Sequence, residues 1–252
     1  MPTVHFYGEV LPRAFRVSLS NPPEINWEVP ERGLSLRFLL EIKNSQVHIT
    51  VHANKYSDDD MVSLYMRAWD IARTCVELVA FRKAWGVEVV LTKFVKPDGV
   101  EAEIVFNDPR LEPICKSYDL ENGFPEMLKI VLGSPAIFSL LHDLIRAITV
   151  PHASTVTCAR VVDGIKHLIA SGAPSRAKEW LQMREALRVD ETYVRLITDH
   201  SKDARHGKAV HIPGNVTSEI AKRAWTIMDR FLEYKKRNAG PLPIPEYPVL
   251  FG

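Results

Sequence analysis

One short stretch near the end of the sequence carries side chains that could do chemistry on a phosphate. It reads Arg205-His206-Gly207-Lys208-Ala209-Val210-His211, so five residues separate Arg205 from His211. An imidazole exchanges a proton near neutral pH, and a guanidinium holds a phosphate by two parallel hydrogen bonds. Such a pair fits the cleavage of a phosphodiester, in which one group moves a proton and the other holds the scissile phosphate. Arg205, His206 and His211 are therefore candidate catalytic residues.

This stretch resembles the Arg-(four to six residues)-His motif of the HEPN superfamily, many of whose members are metal-independent ribonucleases. The resemblance covers roughly residues 134–238. HEPN proteins often place an acid on an earlier helix with a polar residue four positions later, and Asp163 with His167 is similar to that arrangement. The resemblance implies that Arg205 stabilises the transition state at phosphorus, that His211 or His206 carries the proton, and that Asp163 orients them. It also implies a homodimer, because HEPN sites are commonly assembled from two facing motifs.

The chain departs from the usual HEPN pattern directly after the motif. Ile212-Pro213-Gly214-Asn215 breaks any helix after His211, where family members often continue helically. Gly207 is in turn suited to end the preceding helix, which would put Arg205 and His206 in its last turn. His206 and His211 therefore remain alternatives for the proton carrier.

Composition argues for an ordinary globular protein that needs no metal or disulfide to fold. The chain has 252 residues, 46% hydrophobic and 25% charged, with a net charge of +1. Cys75, Cys115 and Cys158 are far apart and form no zinc-binding pair, which favours a reducing cytoplasm. The first residues of the chain lack the basic region and apolar run typical of a signal peptide, and no apolar run reaches membrane-spanning length, so we expect neither secretion nor membrane insertion. We expect no metal, no cofactor and no membrane association.

Charge is distributed unevenly along the chain. Residues 201–240 contain nine Lys or Arg and four Asp or Glu, so a surplus of five positive charges lies beside a body with four excess negative charges. A basic segment of this kind is compatible with RNA as a partner. The alternative is a solvated helix end, since cations are favoured at the C-terminus of a helix.

The first half of the sequence predicts an antiparallel sheet with one long helix. β-branched and aromatic residues between turn clusters predict six strands, and apolar residues at helical spacing predict a helix from Met61 to about Gly86. Alternation in the fourth strand puts His48 and His52 on its outer, polar face. The predicted strands are Val4–Leu11, Phe15–Leu19, Leu34–Ile42, Gln46–Val51, Val87–Val95 and Val100–Phe106.

The second half predicts a bundle of antiparallel helices, because its helical segments are separated by short breaks that contain Gly or Pro. Trp180 and Trp225 fall on apolar helix faces and are predicted to belong to the core. The Pro-rich segment that follows Gly240 is predicted to be an extended arm. The predicted helices are Pro125–Leu132, Pro135–Thr149, Ala153–Ala170, Arg176–Leu187, Glu191–Lys202 and Ser218–Lys236.

These observations give an α+β protein with three segments: residues 1–122, an α+β domain for sensing or partner binding; 123–240, a HEPN-like helical bundle; and 241–252, a Pro-rich tail. The leading hypothesis is a metal-independent endoribonuclease or RNA-binding effector of the bacterial defence or toxin kind. One alternative is a non-catalytic dimerisation scaffold in which the Arg205-His206-Gly207 turn is structural. The other is a nucleotide-binding HEPN module that does not cleave.

Overall fold

The computed structural model describes residues 1–20, 22, 24–105, 108–115, 123–150, 153–205, 208 and 212–252, with only the backbone for Glu31 and Arg205. The chain divides into two compact units, Met1–Val105 and Phe106–Gly252. The first unit is a sheet with one long helix, and the second is helical, as the sequence predicts. The sequence puts the boundary between residues 122 and 123, whereas the contacts divide the chain between 105 and 106.

The sheet of the first unit has six strands in the order β2-β3-β4-β1-β5-β6, and every neighbouring pair is antiparallel. Apolar side chains alternate with polar ones along β1, β3 and β4, so one face of the sheet is buried and the other is polar. His48 and His52 lie on the polar face, as predicted. The strands are β1 Thr3–Leu11, β2 Ile25–Val29, β3 Leu34–Lys43, β4 Gln46–Ala53, β5 Glu88–Val95 and β6 Glu101–Glu103.

The long helix, α1 (Met61–Lys83), packs on the buried face of this sheet. A short 3-10 turn at Asp58–Asp60 precedes it, capped by the Ser57 side chain, which accepts a hydrogen bond from the Asp59 amide. The Trp69 indole donates to the Val89 carbonyl at 2.9 Å and ties α1 to β5. The helix ends at Lys83, and Ala84, whose φ is 54°, takes the C-cap position instead of the glycine two residues later.

Three strands differ from the prediction. Among its described residues, the predicted strand Val100–Phe106 is a strand only at Glu101–Glu103. Phe15–Leu19 is not a strand: Arg13–Phe15 forms a 3-10 turn, and Leu19 makes only an isolated bridge to Ile42. The strand that the sequence does not predict is β2, which lies at the edge of the sheet. None of its five residues is buried, so its sequence lacks the apolar alternation by which a half-buried strand is recognised.

The second unit contains six helices among its described residues, and the middle helix α4 packs against α3, α5, α6 and α7. The C-terminal half of α7 is buried over Ile227–Tyr234, including the charged residues Asp229, Arg230 and Glu233. Trp180 and Trp225 are only partly buried at the edge of the core. The helices are α2 Phe124–Leu132, α3 Pro135–Thr149, α4 Ser154–Ala170, α5 Arg176–Leu187, α6 Glu191–Arg205 and α7 Gly214–Lys236.

The Pro-rich tail is part of the helical unit. Leu242 is fully buried, and its amide donates to the Ala186 carbonyl at 3.1 Å. Further along, the Leu250 amide donates to the Arg188 carbonyl at 3.0 Å, and the Asp190 amide donates to the Leu250 carbonyl at 2.9 Å. The tail is therefore not a free extended arm as predicted but packs on the turn between α5 and α6. The buried Leu242 side chain and the backbone hydrogen bonds of Leu242 and Leu250 hold it there.

Candidate functional site

A groove of about 380 Å³ lies between α4, α5 and α6 in the helical unit. It contains the one candidate catalytic side chain that the structure describes, Asp163, together with three arginines and a tryptophan. Its lining is Asp163 from α4; Arg176, Ala177, Trp180 and Arg184 from α5; and Glu191, Val194, Arg195, Thr198 and Asp199 from α6.

Two caps fix the helices that form the walls of the groove. The Ser175 side chain accepts from the Lys178 amide at 3.3 Å and begins α5, and the Asp190 carboxylate accepts from the Tyr193 amide at 2.7 Å and begins α6. Between the two helices Arg188 adopts a left-handed conformation with φ of 55°. The short turn brings the end of α5 beside the start of α6, so side chains from both helices face one space.

The arginines of the groove differ in their ion pairing. Arg184 and Arg195 share one carboxylate, since Glu191 accepts from Arg184 at 3.1 Å and from Arg195 at 2.5 Å. Arg176 has no ion-pair partner among the described residues, and neither does Asp199 on the opposite wall. The groove therefore holds one cation and one anion whose charges are not compensated by described side chains.

A buried lysine supports the α4 side of the groove. The Lys166 side chain is only 9% exposed, and its Nζ lies 3.3 Å from Asp163 Oδ1 and 3.5 Å from Glu179 Oε2. The same Nζ lies 4.6 Å from the centre of the Trp180 ring. Burying an ammonium is costly unless carboxylates compensate it. Asp163 and Glu179 provide this compensation. Because they fix the Lys166 ammonium, its contact with the Trp180 ring holds the indole beside α4.

The structure describes the predicted catalytic residues unequally. Asp163 lies on α4 and lines the groove, where its Oδ1 is 3.3 Å from Lys166 Nζ. Arg205 is the last residue of α6, seven residues or about two helical turns after Thr198 of the groove. His206 and His211 lie outside the described residues.

The helix boundaries around the motif differ from the prediction. α6 continues to Arg205 instead of ending at Lys202, and α7 begins at Gly214 instead of Ser218. Ile212 and Pro213 lie outside any helix, and Pro213 takes the N-cap position of α7. Gly214 and Asn215, which the sequence assigns to the break, are the first residues of α7.

The groove residues on α5 were not predicted from the sequence. Arg176, Trp180 and Arg184 follow one another at intervals of four, which places them on one face of the helix. This spacing is the sequence signal that could have found them. It is also typical of a solvated helix face, and only the packing of α6 beside α5 turns that face into a groove.

Within the described part of the chain, no three His, Cys, Asp or Glu side chains converge in a way that could hold a metal ion. No single described helix is long and apolar enough to cross a membrane; α2 and α3 reach that length and hydropathy only jointly, across a bend of 109°.

Family models match both units of the chain. The model described as the N-terminal domain of a domain of unknown function, DUF8168, matches residues 4–105, and the model of the C-terminal domain of DUF8168 matches residues 124–236. Together they span most of the sequence. The chain belongs to the DUF8168 family. The DUF8168 descriptions name no activity, and the chain matches no curated protein and no solved structure.

Proposed function

We propose that this DUF8168 protein is a metal-independent endoribonuclease or RNA-binding effector of the kind found among bacterial defence and toxin proteins. The observation that carries the proposal is where α6 lies and where it ends. This helix lines a charged groove together with Asp163 of α4, and it ends at Arg205, the first residue of the Arg-x5-His motif. A cation that can bind a phosphate, at the end of a helix that also lines a groove with three arginines and three carboxylates, suits RNA as a substrate.

The residues have distinct roles in the proposed reaction. The ribose 2′-hydroxyl attacks the adjacent phosphorus as its proton passes to His211 or His206, and the bond to the 5′-oxygen of the next nucleotide breaks. A 2′,3′-cyclic phosphate and a 5′-hydroxyl result, with a proton returned to the leaving oxygen. Arg205 stabilises the negative charge that develops on the phosphoryl oxygens. Asp163, already held by Lys166, orients the motif. No step requires a metal ion.

RNA and a second copy of the chain are the proposed partners. The local surplus of positive charge at residues 201–240 favours RNA, and the resemblance of the motif to HEPN sites favours a homodimer. Three widely separated cysteines favour a cytoplasmic location for this activity. The α+β unit would then sense a ligand or bind a partner.

The proposal is tested by incubating the full chain with labelled RNA in buffer that contains a chelator. The wild-type protein should cleave, and Arg205→Ala should abolish cleavage while it changes the free energy of unfolding by no more than about 0.5 kcal/mol. Lys202→Ala removes an exposed cation from the same helix, three residues earlier, and should lower cleavage far less than Arg205→Ala does. Equal activity of the two variants would contradict the proposal, and so would cleavage that stops when the chelator is added.

The same assay separates the alternatives. A folded protein that binds nucleotides but never cleaves RNA fits the nucleotide-binding module. A protein that does neither and loses stability with Arg205→Ala fits a scaffold in which the Arg205-His206-Gly207 turn is structural.

A further inference from the structure

We propose that the groove between α4, α5 and α6 binds one nucleotide of the RNA, with its phosphate at Arg176, its base against Trp180 and its ribose at Asp199. This inference rests on the proposed function and names the part of the substrate that the groove recognises. It assigns the binding of a flanking nucleotide to residues that lie outside the Arg-x5-His motif.

The phosphate position follows from the ion pairs. Arg184 and Arg195 are already engaged by Glu191, whereas Arg176 has no ion-pair partner among the described residues. A guanidinium without a carboxylate partner is free to make two parallel hydrogen bonds to a phosphate. Of the three arginines, Arg176 is therefore the one that can bind a phosphate without first breaking an ion pair.

The base position follows from the tryptophan. Trp180 lies four residues after Arg176, one turn along α5, and its indole lines the groove. Its ring is held against α4 by Lys166, whose Nζ lies 4.6 Å from the ring centre. An aromatic ring fixed in this way loses little entropy when a base packs on it, and base stacking on aromatic side chains is tolerant of sequence.

The ribose position follows from Asp199. Asp199 on α6 has no ion-pair partner among the described residues and faces the same space as Arg176 and Trp180. A carboxylate only accepts hydrogen bonds, and the ribose hydroxyls can donate them. Because Asp199 repels a phosphate, it also fixes which end of the nucleotide lies at Arg176. A ligand that carries a phosphate alone would satisfy Arg176 and leave the other two residues unused.

The test is calorimetric titration of the full chain with adenosine 5′-monophosphate, adenosine, 2′-deoxyadenosine 5′-monophosphate and inorganic phosphate. Adenosine 5′-monophosphate should bind best. Arg176→Gln should weaken its binding about tenfold and leave adenosine unaffected, in line with the loss of a charged hydrogen bond. Asp199→Asn should reduce the preference for the ribonucleotide over the deoxynucleotide.

Two further variants separate binding from folding. Trp180→Leu should weaken adenosine and adenosine 5′-monophosphate alike, and a thermal melt shows whether it remains folded. If Trp180→Leu does not fold, the test of the groove rests on Arg176→Gln, because Arg176 is exposed and its replacement leaves the core intact. Lys178→Gln, an exposed cation on α5 outside the groove, and Trp225→Phe are the matched controls and should bind as the wild type does.

The outcomes distinguish this inference from the proposed function. If the protein cleaves RNA but shows no saturable binding of adenosine 5′-monophosphate, or binds inorganic phosphate as tightly, the nucleotide groove is wrong and the ribonuclease proposal stands. If the groove variants change nucleotide binding as described but no RNA is cleaved in the chelator assay, the groove is supported and the ribonuclease proposal fails.

Discussion

Nδ1 of His5 lies 3.1 Å from Nε2 of His48 across neighbouring strands β1 and β4, on the polar face of the sheet. Oγ1 of Thr50 is 3.2 Å from the same His5 nitrogen. The Tyr7 ring stacks on His48, with centroids 4.6 Å apart and planes only 2° from parallel. Burial is the main cause that lowers the pKa of His48, and the neighbouring charge of His5 adds to it, whereas Glu41 acts in the opposite direction. Two facing ring nitrogens form one hydrogen bond only when one of them carries no proton.

The first prediction is that acid destabilises the sheet unit through His48. Because its folded-state pKa is below the unfolded value of about 6.5, the unfolded state binds more protons, and the stabilisation present above that pH is lost as the pH falls. Urea unfolding of the full chain from pH 8 to pH 5 should show this decrease. His48→Phe retains an aromatic ring beside Tyr7 but cannot take up a proton, so it should make this decrease in the free energy of unfolding smaller. His200→Gln, an exposed histidine on α6, is the control and should leave the decrease in place.

The second prediction concerns Gly8, where the pairing of β1 with β5 shifts register. A Cβ at Gly8 would collide with the Val90 carbonyl oxygen and lie 2.7 Å from the Leu91 Cα, both of them backbone atoms. Gly8→Ala should therefore lower the free energy of unfolding by about 2 kcal/mol or more, because the strand itself must move. Gly86→Ala meets nothing within 4 Å and should have little effect. Equal stabilities in a urea melt would show that the bulge accommodates a side chain.

The sequence predicts the helices better than the sheet, for a physical reason. The observed bounds of α3 and α5 are those predicted, because Ser134 and Ser175 accept hydrogen bonds from the first turns and local caps mark helix ends. The edge strand β2 has no buried residue, so its position depends on pairing with β3, which no local pattern records. Helix signals are local, whereas an edge strand is defined by its neighbour.

Local sequence patterns likewise reveal only part of the candidate site. Asp163 could be singled out because its position before His167 is similar to a known arrangement. Its pairing with Lys166 is local, because the two residues lie three positions apart on α4. The contact of Lys166 with Glu179 and the grouping of Arg176 with Asp199 depend on how the helices pack. Packing of this kind joins residues that are distant in sequence, so the charges of Arg176 and Asp199 in the sequence do not reveal that they share a groove.

The third prediction concerns Arg230, a buried side chain of α7 that binds the C-terminal tail. Its guanidinium donates to the carbonyls of Leu187 at 2.9 Å, Arg188 at 2.7 Å and Pro248 at 3.0 Å. Arg230→Met removes the side-chain donor to the Leu187 and Pro248 carbonyls and one of two donors to the Arg188 carbonyl, which keeps the Leu250 amide. It should lower the free energy of unfolding by roughly 3 kcal/mol. Lys222→Met, an exposed cation of the same helix, should change it by less than about 0.5 kcal/mol. A thermal melt that ranks the two variants equally would contradict the role of Arg230.

The fourth prediction compares the two histidines of the motif. His206→Ala and His211→Ala should differ, because only one of them carries the proton from the 2′-hydroxyl. The variant without that histidine should lose activity by roughly a hundredfold or more, and the other should lose far less. The measurement is the initial rate of RNA cleavage in chelator-containing buffer, with unfolding curves to confirm that both variants are folded. Small and equal decreases in the cleavage rate would show that neither histidine is the proton carrier.

The fifth prediction is that the protein acts as a homodimer with two copies of Arg205 near its two-fold axis, since a symmetric interface uses the same surface of both chains. Sedimentation of the full chain at micromolar concentration should give the mass of two chains. Mixing wild-type protein with excess Arg205→Ala chains should lower the activity per wild-type chain, because mixed dimers hold only one arginine. Excess Lys202→Ala chains should not lower it. A monomer, or activity unchanged by the Arg205→Ala chains, would mean that each site is complete within one chain.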